Sequence, residues 1–115
     1  MSNVTEIVRA YCDAFAAKDL VALRGLLSDD FSFHGPMMAT EGADNFIEQM
    51  QSFPFQPRYE ASRMIVEGDN VVHMFDFVVS APVEAKVRMC ECFEVKNGKI
   101  QSSRLYFDPA QFPSP

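Results

Sequence analysis

The spacing of apolar residues changes once along this chain, from a helical period to a strand period. Over roughly the first half, apolar side chains recur at intervals of three and four, as in Ile7, Val8 and Tyr11, which is typical of amphipathic helices. From Arg58 onward they recur at intervals of two, which is typical of half-buried strands. The pattern therefore predicts helices first and strands afterwards.

Local signals set the ends of the predicted elements. Asn3 and Glu6 have the spacing of a helix capping box, and Asp19 can cap a second, shorter helix. Asn97-Gly98 is the strongest hairpin signal in the chain. The predicted helices cover about 3–18, 19–27 and 43–53, the predicted strands cover 31–34, 59–67, 71–81, 85–96 and 99–108, and a loop at 37–42 and a turn around Pro82 connect them.

Helices followed by a four-strand meander predict an α+β fold, with a layer of helices on a curved antiparallel sheet. A strongly curved sheet that helices close at one end forms a cone, and a cone has a hollow. The length of 115 residues predicts one domain, which we expect to span residues 1–108, with a proline-rich tail at 109–115.

Two acids interrupt the apolar alternation of the predicted strands. Asp76 falls among Val72, Met74 and Val78, and Glu91 falls in a second alternation of the same kind. Even a neutral polar group left unsatisfied in such a place costs about 1–3 kcal/mol, and a charge costs more. The two acids are therefore paired, or neutral, or they line a cavity.

Composition excludes some classes of function and leaves others open. The net charge of -6 argues against nucleic-acid binding, which needs a surplus of Lys and Arg. No apolar stretch approaches the roughly 20 residues of a membrane span, so we expect no membrane partner and a cytoplasmic location. The 11 Phe and 7 Met residues suit either a plain core or a ligand pocket.

The three cysteines, Cys12, Cys90 and Cys92, are an odd number, which argues against a disulfide framework. Cys90 and Cys92 would project from one face of a strand, but no second Cys or His pair stands at ligand spacing. We therefore expect reduced thiols, no metal site and no cofactor.

Four segments carry a resemblance to a known family. They read RAY at 9–11, LSDDFSFHGP at 27–36, NGKIQ at 97–101 and LYFD at 105–108. In this succession the chain resembles the SnoaL-like and ketosteroid-isomerase-like branch of the nuclear transport factor 2 superfamily. The resemblance implies a cone-shaped, cystatin-like fold, which hosts enzymes, ligand binders and dimerisation modules.

The resemblance also assigns positions. It places Tyr11 where ketosteroid isomerases keep the tyrosine that donates to the substrate oxyanion. It places Gly35 and Met89 where they keep two catalytic aspartates. One catalytic position of three is therefore retained, so steroid isomerisation by the family's own residues is not expected.

The same comparison implies which side chains face the cone. Tyr11, Asp76 and Glu91 form the predicted catalytic set, with Tyr11 as the donor and either acid as the base. The predicted ligand-binding residues are Phe15, Phe33, Phe46, Met50, Val72, Met74, Val78, Met89, Phe93, Leu105 and Phe107.

Three functions stay open at this point. The chain is an enzyme that performs acid–base chemistry on a small apolar carbonyl compound, such as isomerisation, cyclisation or dehydration, or it is a binding module for an apolar metabolite, or a dimerisation domain. Each candidate residue has a structural alternative, since Tyr11 suits a core and Asp76 can pair with Arg63, Arg88 or Arg104.

The opposite face of the predicted sheet indicates a homodimer. Val71, Phe75, Phe77 and Val79 would lie on this outer face and need cover that no spare helix supplies. His73 shares that face, which suggests an interface histidine.

Overall fold

Three α-helices, six β-strands and a 3-10 helix make up the computed structural model, which describes residues 3–80 and 83–112. The helices are α1 (Val4–Ala17), α2 (Leu20–Gly25) and α3 (Ala43–Gln51), and the 3-10 helix spans Pro109–Gln111. The strands are β1 (Leu27–His34), β2 (Ala39–Glu41), β3 (Pro57–Glu67), β4 (Asn70–Val79), β5 (Ala85–Lys96) and β6 (Lys99–Tyr106). The predicted α+β class is confirmed.

The predicted capping residues begin the first two helices. The Asn3 carboxamide oxygen accepts a hydrogen bond from the Glu6 backbone N–H at 2.9 Å, and the Asp19 carboxylate accepts one from Ala22 at 3.1 Å. Between the two helices Lys18 adopts a left-handed conformation with φ 57°. These contacts satisfy backbone N–H groups that have no partner inside the helix.

One curved sheet contains all six strands, in the order β2-β1-β6-β5-β4-β3. The predicted meander from β3 to β6 is confirmed, and the Asn97-Gly98 turn joins β5 to β6 with both residues at positive φ. β1 is longer than predicted and pairs with β6 in parallel. The segment 37–42 was predicted to be a loop, but it contains the short strand β2, which pairs with β1.

The pairing of β4 with β5 overturns the predicted faces of β4. Val79 pairs with Ala85, and Phe75 pairs with Met89, so odd-numbered residues of both strands share one face. That face is the inner one, where Phe75, Phe77 and Val79 are buried. The predicted inward orientation of Val72, Met74, Asp76 and Val78 is therefore wrong, because a shift of one residue turns every side chain of a strand over.

The predicted turn around Pro82 and the predicted end of this strand at Ala81 lie outside the described residues, as do tail residues 113–115.

Apolar packing fills one end of the cone. Val8 of α1, Leu23 of α2 and Ile100 of β6 are completely buried there. α1 crosses the inner face of the sheet from this filled end towards aromatic side chains of α3, β4 and β5. The helices therefore seal one half of the inner face, and the other half borders a cavity.

Candidate functional site: an aromatic cavity with one buried acid

A cavity of about 410 Å³ lies between the helices and the inner face of the sheet. Its volume falls in the range of about 300–1,000 Å³ that is usual for small-molecule sites. Eleven aromatic residues and four methionines dominate its lining, and Glu91 is the one charged side chain among the described lining residues. The lining comprises Tyr11, Phe15, Phe33, Gly35, Pro36, Met37, Met38, Phe46, Met50, Phe53, Phe55, Tyr59, Phe75, Phe77, Met89, Glu91, Phe107 and Phe112.

Glu91 is an acid held in apolar surroundings. It lies on the inner face of β5 between Met89 and Phe93, and 4% of its surface is exposed. The Ser103 hydroxyl donates a hydrogen bond to its carboxylate at 2.5 Å. Burial raises the pKa of Glu91 from 4.5 to about 7, against the opposing effect of the Ser103 and Tyr11 hydroxyls. Within residues 3–80 and 83–112, Glu91 forms no ion pair.

Tyr11 brings a hydroxyl to the same acid. It lies on the inner side of α1 with 2% of its surface exposed, and its ring meets that of Phe93 edge-on at a centroid distance of 5.1 Å. Burial, together with the nearby charge of Glu91, raises the pKa of Tyr11 well above its ordinary value. The phenol therefore stays neutral and keeps its proton available as a hydrogen-bond donor.

His73 lies opposite Glu91 on β4 and is hydrogen-bonded to Cys12 and Ser62. The Cys12 thiol is 3.5 Å from Nδ1 of His73, and Nε2 of His73 is 3.1 Å from the hydroxyl of Ser62. Burial lowers the pKa of His73 to about 4, with a smaller contribution from the charge of Arg9. Burial also raises the pKa of the Cys12 thiol, so this thiol is not a nucleophile at neutral pH. His73 was predicted to be an interface histidine, but it lies inside the cone with 1% of its surface exposed.

Asp76 does not reach the cavity. It lies on the outer face of β4, where its carboxylate accepts a hydrogen bond from Nε of Arg88 at 2.9 Å. Nζ of Lys86 is 3.9 Å away. The alternative of pairing with an arginine is thus the correct one for Asp76, and its placement in a catalytic set was wrong.

The structure brings together most, but not all, of the predicted site residues. Tyr11, Glu91, Phe15, Phe33, Phe46, Met50, Met89 and Phe107 all line the cavity. Phe93 is buried behind Tyr11, and Leu105 packs beside the cavity on β6, across from Glu91. Val72, Met74 and Val78 lie on the outer face with Asp76, because the pairing of β4 with β5 turns the even-numbered residues of β4 outward.

The sequence analysis missed several cavity residues. Phe75 and Phe77 were placed on the wrong face of β4. Met37, Met38, Phe55 and Phe112 lie in segments without a regular period, so no pattern pointed inward. Phe53 ends the predicted helix at 43–53, whose period placed it on the inner side, but it was not among the predicted ligand-binding residues. Tyr59 precedes a bulge in β3, where Ala61 has a φ of 51° and the pairing with β4 shifts.

Gly35 has little room for a side chain. A Cβ at this position would lie 3.2 Å from the Phe33 ring and 3.6 Å from Cβ of Leu105. The ring of Phe33 thus occupies the space next to the position where the resemblance would place an aspartate. No second acid can enter the cavity from Gly35 unless Phe33 moves.

The described residues contain no cluster of three or more His, Cys, Asp or Glu side chains that could hold a metal ion. Nor does any helix of the described part have the length and apolar character needed to cross a membrane.

Comparisons with known proteins place this geometry in a family. An NTF2-like protein from Cytophaga hutchinsonii is 23% identical, with a TM-score of 0.82 over 96% of this chain and 94% of that chain. An LEH-like epoxide hydrolase from M. tuberculosis is 20% identical, with a TM-score of 0.83 over 94% of this chain and 84% of that chain. A protein with a ketosteroid-isomerase-like fold from Catenulispora acidiphila, in complex with trimethylamine, is 17% identical, with a TM-score of 0.75 over 92% of this chain and 88% of that chain.

These three likenesses establish the shared fold. No curated protein sequence matches the chain. The model of the SnoaL-like domain matches residues 8–103, which is most of the chain. The chain therefore belongs to the SnoaL-like family.

Proposed function

We propose that this protein binds a small, largely apolar carbonyl compound in the aromatic cavity and catalyses an acid–base reaction on it. Glu91 is the proton acceptor, and Tyr11 is the hydrogen-bond donor to the carbonyl oxygen. The reaction class is isomerisation, cyclisation or dehydration. The observation that carries the proposal is Glu91, a buried acid in an apolar cavity, adjacent to a neutral phenol and without an ion-pair partner in the described residues.

The pKa of Glu91 suits a proton acceptor. A general base works best when its pKa lies near the working pH, and burial raises the pKa of Glu91 to about 7. At that pH about half of the molecules carry a carboxylate, and the same group can return the proton later as an acid. The mostly apolar lining provides few polar groups around Glu91, and electrostatic interactions are stronger in such surroundings than in water.

Tyr11 supplies the second part of the reaction. Glu91 removes a proton from the carbon next to the carbonyl, the electron pair moves into a carbon–carbon double bond, and negative charge develops on the carbonyl oxygen. Tyr11 stabilises that oxygen by donating a hydrogen bond. Return of the proton from Glu91 to another carbon completes an isomerisation.

A general probe tests for such a base without knowledge of the natural substrate. In 5-nitrobenzisoxazole, a base removes the proton on C3, the electron pair forms a nitrile, and the nitrogen–oxygen bond breaks to release a coloured phenolate. We expect the wild-type rate to rise with pH and to level off above about 7, where Glu91 is ionised.

Two variants identify the base. Glu91→Gln should lose about a hundredfold or more in rate, which is the usual contribution of a general base. Asp76→Asn is the matched control, because it changes a carboxylate of the same sheet that lies outside the cavity, and it should retain the wild-type rate. Equal rates for the wild type and Glu91→Gln would overturn the assignment of Glu91.

A binding module without catalysis is the second candidate. It is favoured by Gly35 and Met89, which occupy the positions where the resemblance places catalytic aspartates, and by the presence of one acid, Glu91, among the described lining residues. Tyr11→Phe separates the two functions. If the protein is an enzyme, this variant should convert 5-nitrobenzisoxazole more slowly but bind it with unchanged affinity. If the protein is a binding module, no turnover that depends on Glu91 should be seen in the wild type.

Assembly and location stay predictions. The residues from which the homodimer was predicted face inward, and the outer face instead presents Met74, Cys90 and Cys92 beside the ion pair of Asp76 with Arg88. Sedimentation velocity at micromolar concentration tests for a dimer, and a single monomer boundary would contradict it.

A further inference from the structure

Glu91 is a buried acid without an ion-pair partner among the described residues. When its carboxyl group ionises, the charge is stabilised by two hydroxyl groups, those of Ser103 and Tyr11. A buried charge without an opposite charge is costly, and the free energy falls when a cation arrives. The cavity therefore favours a ligand that supplies a positive charge.

The cavity walls suit such a ligand as well. Eleven aromatic rings and four methionines line it. The faces of aromatic rings attract organic cations, and this attraction grows when the cation loses water. A strongly hydrated metal ion would find few oxygen ligands here, whereas an alkylated ammonium ion carries its charge under an apolar surface.

We propose that the cavity binds a small organic ammonium ion, with the charged nitrogen beside Glu91 and the alkyl groups against the surrounding aromatic rings. This ligand class goes beyond the carbonyl compounds of the proposed reaction. It depends on the cavity and on Glu91, but it does not depend on turnover.

Among the described residues, no charged group competes for this place. The titratable groups that face Glu91 are Tyr11 and Cys12 from α1, Tyr59 from β3 and His73 from β4. Burial raises the pKa of both tyrosines and of the thiol and lowers the pKa of His73, so all four are neutral near pH 7. The positive charge that acts on His73 is that of Arg9, which is exposed on α1.

A pair of probes of equal shape isolates the charge. Choline and 3,3-dimethylbutan-1-ol are both water-soluble and differ only in a quaternary nitrogen in place of a carbon. At pH 8 we expect wild-type protein to bind choline about tenfold or more tightly than the alcohol, as measured by ligand-observed NMR.

Two variants test the role of the carboxylate. Glu91→Gln should lose this preference and still bind the alcohol, which shows that the cavity is intact. Asp76→Asn, the matched change on the outer face, should keep the preference. Equal binding of the two probes by wild-type protein, or a preference that persists in Glu91→Gln, would overturn the proposal.

A measurement on unaltered protein gives an independent answer. Choline cannot lose a proton, so any proton released on binding comes from the protein. At pH 6 Glu91 is mostly protonated, and binding should release close to one proton, seen by calorimetry in two buffers of different ionisation enthalpy. The affinity should fall about tenfold per pH unit below pH 6. Binding without proton release at pH 6 would contradict the pairing with Glu91.

The outcomes also separate this inference from the proposed reaction. Choline binding without turnover of 5-nitrobenzisoxazole supports the ammonium site and overturns catalysis. Turnover that depends on Glu91, without a preference for choline, supports catalysis and overturns the ammonium site.

Discussion

Glu91 and His73 lie directly opposite each other on the inner face of β5 and β4, and burial shifts their pKa values in opposite directions. The pKa of Glu91 rises from 4.5 to about 7, and that of His73 falls from 6.5 to about 4. Both side chains are therefore neutral between about pH 4 and pH 7. An acid and a base that would form an ion pair in water instead stay uncharged, because the apolar surroundings disfavour both charges.

The stability of the fold should depend on pH through these two groups with opposite signs. Glu91 binds its proton more tightly in the folded state, so its contribution is complete below pH 4.5 and is lost as the pH rises to about 7. His73 binds its proton less tightly in the folded state, so its contribution is complete above pH 6.5 and is lost as the pH falls to about 4. Between pH 4.5 and 6.5 the changes in the free energy of unfolding that the two groups cause with pH should cancel each other.

A variant that removes one of the two groups should reveal the pH dependence that the other group gives to the free energy of unfolding. In Glu91→Gln the free energy of unfolding should fall by roughly 3 kcal/mol as the pH decreases from 6.5 to 4, since His73 acts alone. In His73→Gln it should fall by a similar amount as the pH increases from 4.5 to 7. Urea unfolding across this range measures both, and parallel curves for the wild type and the two variants would contradict the prediction.

Removal of the Ser103 hydroxyl should raise the pKa of Glu91 further. This hydroxyl donates to the carboxylate and lowers the pKa of Glu91, so Ser103→Ala leaves the charged form with one donor fewer. Carbon-13 NMR of the Glu91 carboxyl group gives the titration midpoint directly.

Ser102→Ala is the control for this measurement, because Ser102 pairs with Glu94 on the neighbouring position of β6 and should leave the midpoint unchanged. An unchanged or lower midpoint in Ser103→Ala would show that the hydrogen bond does not stabilise the carboxylate.

A side chain at Gly35 should reduce the cavity. In Gly35→Ala the new Cβ would come within 3.2 Å of the Phe33 ring, which then has to move. Overpacking of this kind costs about 1–3 kcal/mol, measured as the free energy of unfolding. Affinity for the probes should fall as well, because Phe33 lines the cavity.

Gly25→Ala provides the comparison, since a Cβ at Gly25 meets no atom within 4 Å. It should not destabilise the protein. Equal stability of the two variants would mean that Phe33 moves aside without strain.

The three thiols should differ in reactivity. Cys12 is buried and burial raises its pKa, whereas Cys90 and Cys92 are half-buried on the outer face of the sheet. An alkylating reagent at pH 8, followed by peptide mass spectrometry, should modify Cys90 and Cys92 well before Cys12. Modification of Cys12 at the same rate in native protein would show that α1 does not seal it.

Elements that depend on neighbours in sequence were predicted correctly. The caps at Asn3 and Asp19 and the turn at Asn97-Gly98 each use contacts within a few residues. The family resemblance placed Glu91 on the inner face, and the structure agrees, since β5 keeps its alternation throughout and lies inside the sheet. Tyr11 followed from the helical period of α1.

The face of β4 was not accessible by this reasoning. β4 has apolar residues on both of its faces, so its own sequence does not show which face is turned inward. The pairing of Phe75 with Met89 decides the matter, and it depends on how the chain returns from β4 to β5. The positions of Met37, Phe55 and Phe112 likewise depend on contacts between distant segments.

The sequence by itself thus determined the order of helices and strands, because this order follows from local periods and short-range contacts. Its resemblance to known proteins indicated the family. It also predicted two inward acids, of which only Glu91 faces the cavity. Only the tertiary structure decided that Glu91 is the one charged side chain among the described lining residues and that Asp76 pairs with Arg88 outside the cavity. The physical reason is that burial and ion pairing arise between segments far apart in the chain, and together they decide which carboxyl group lies in apolar surroundings and which one has an arginine partner.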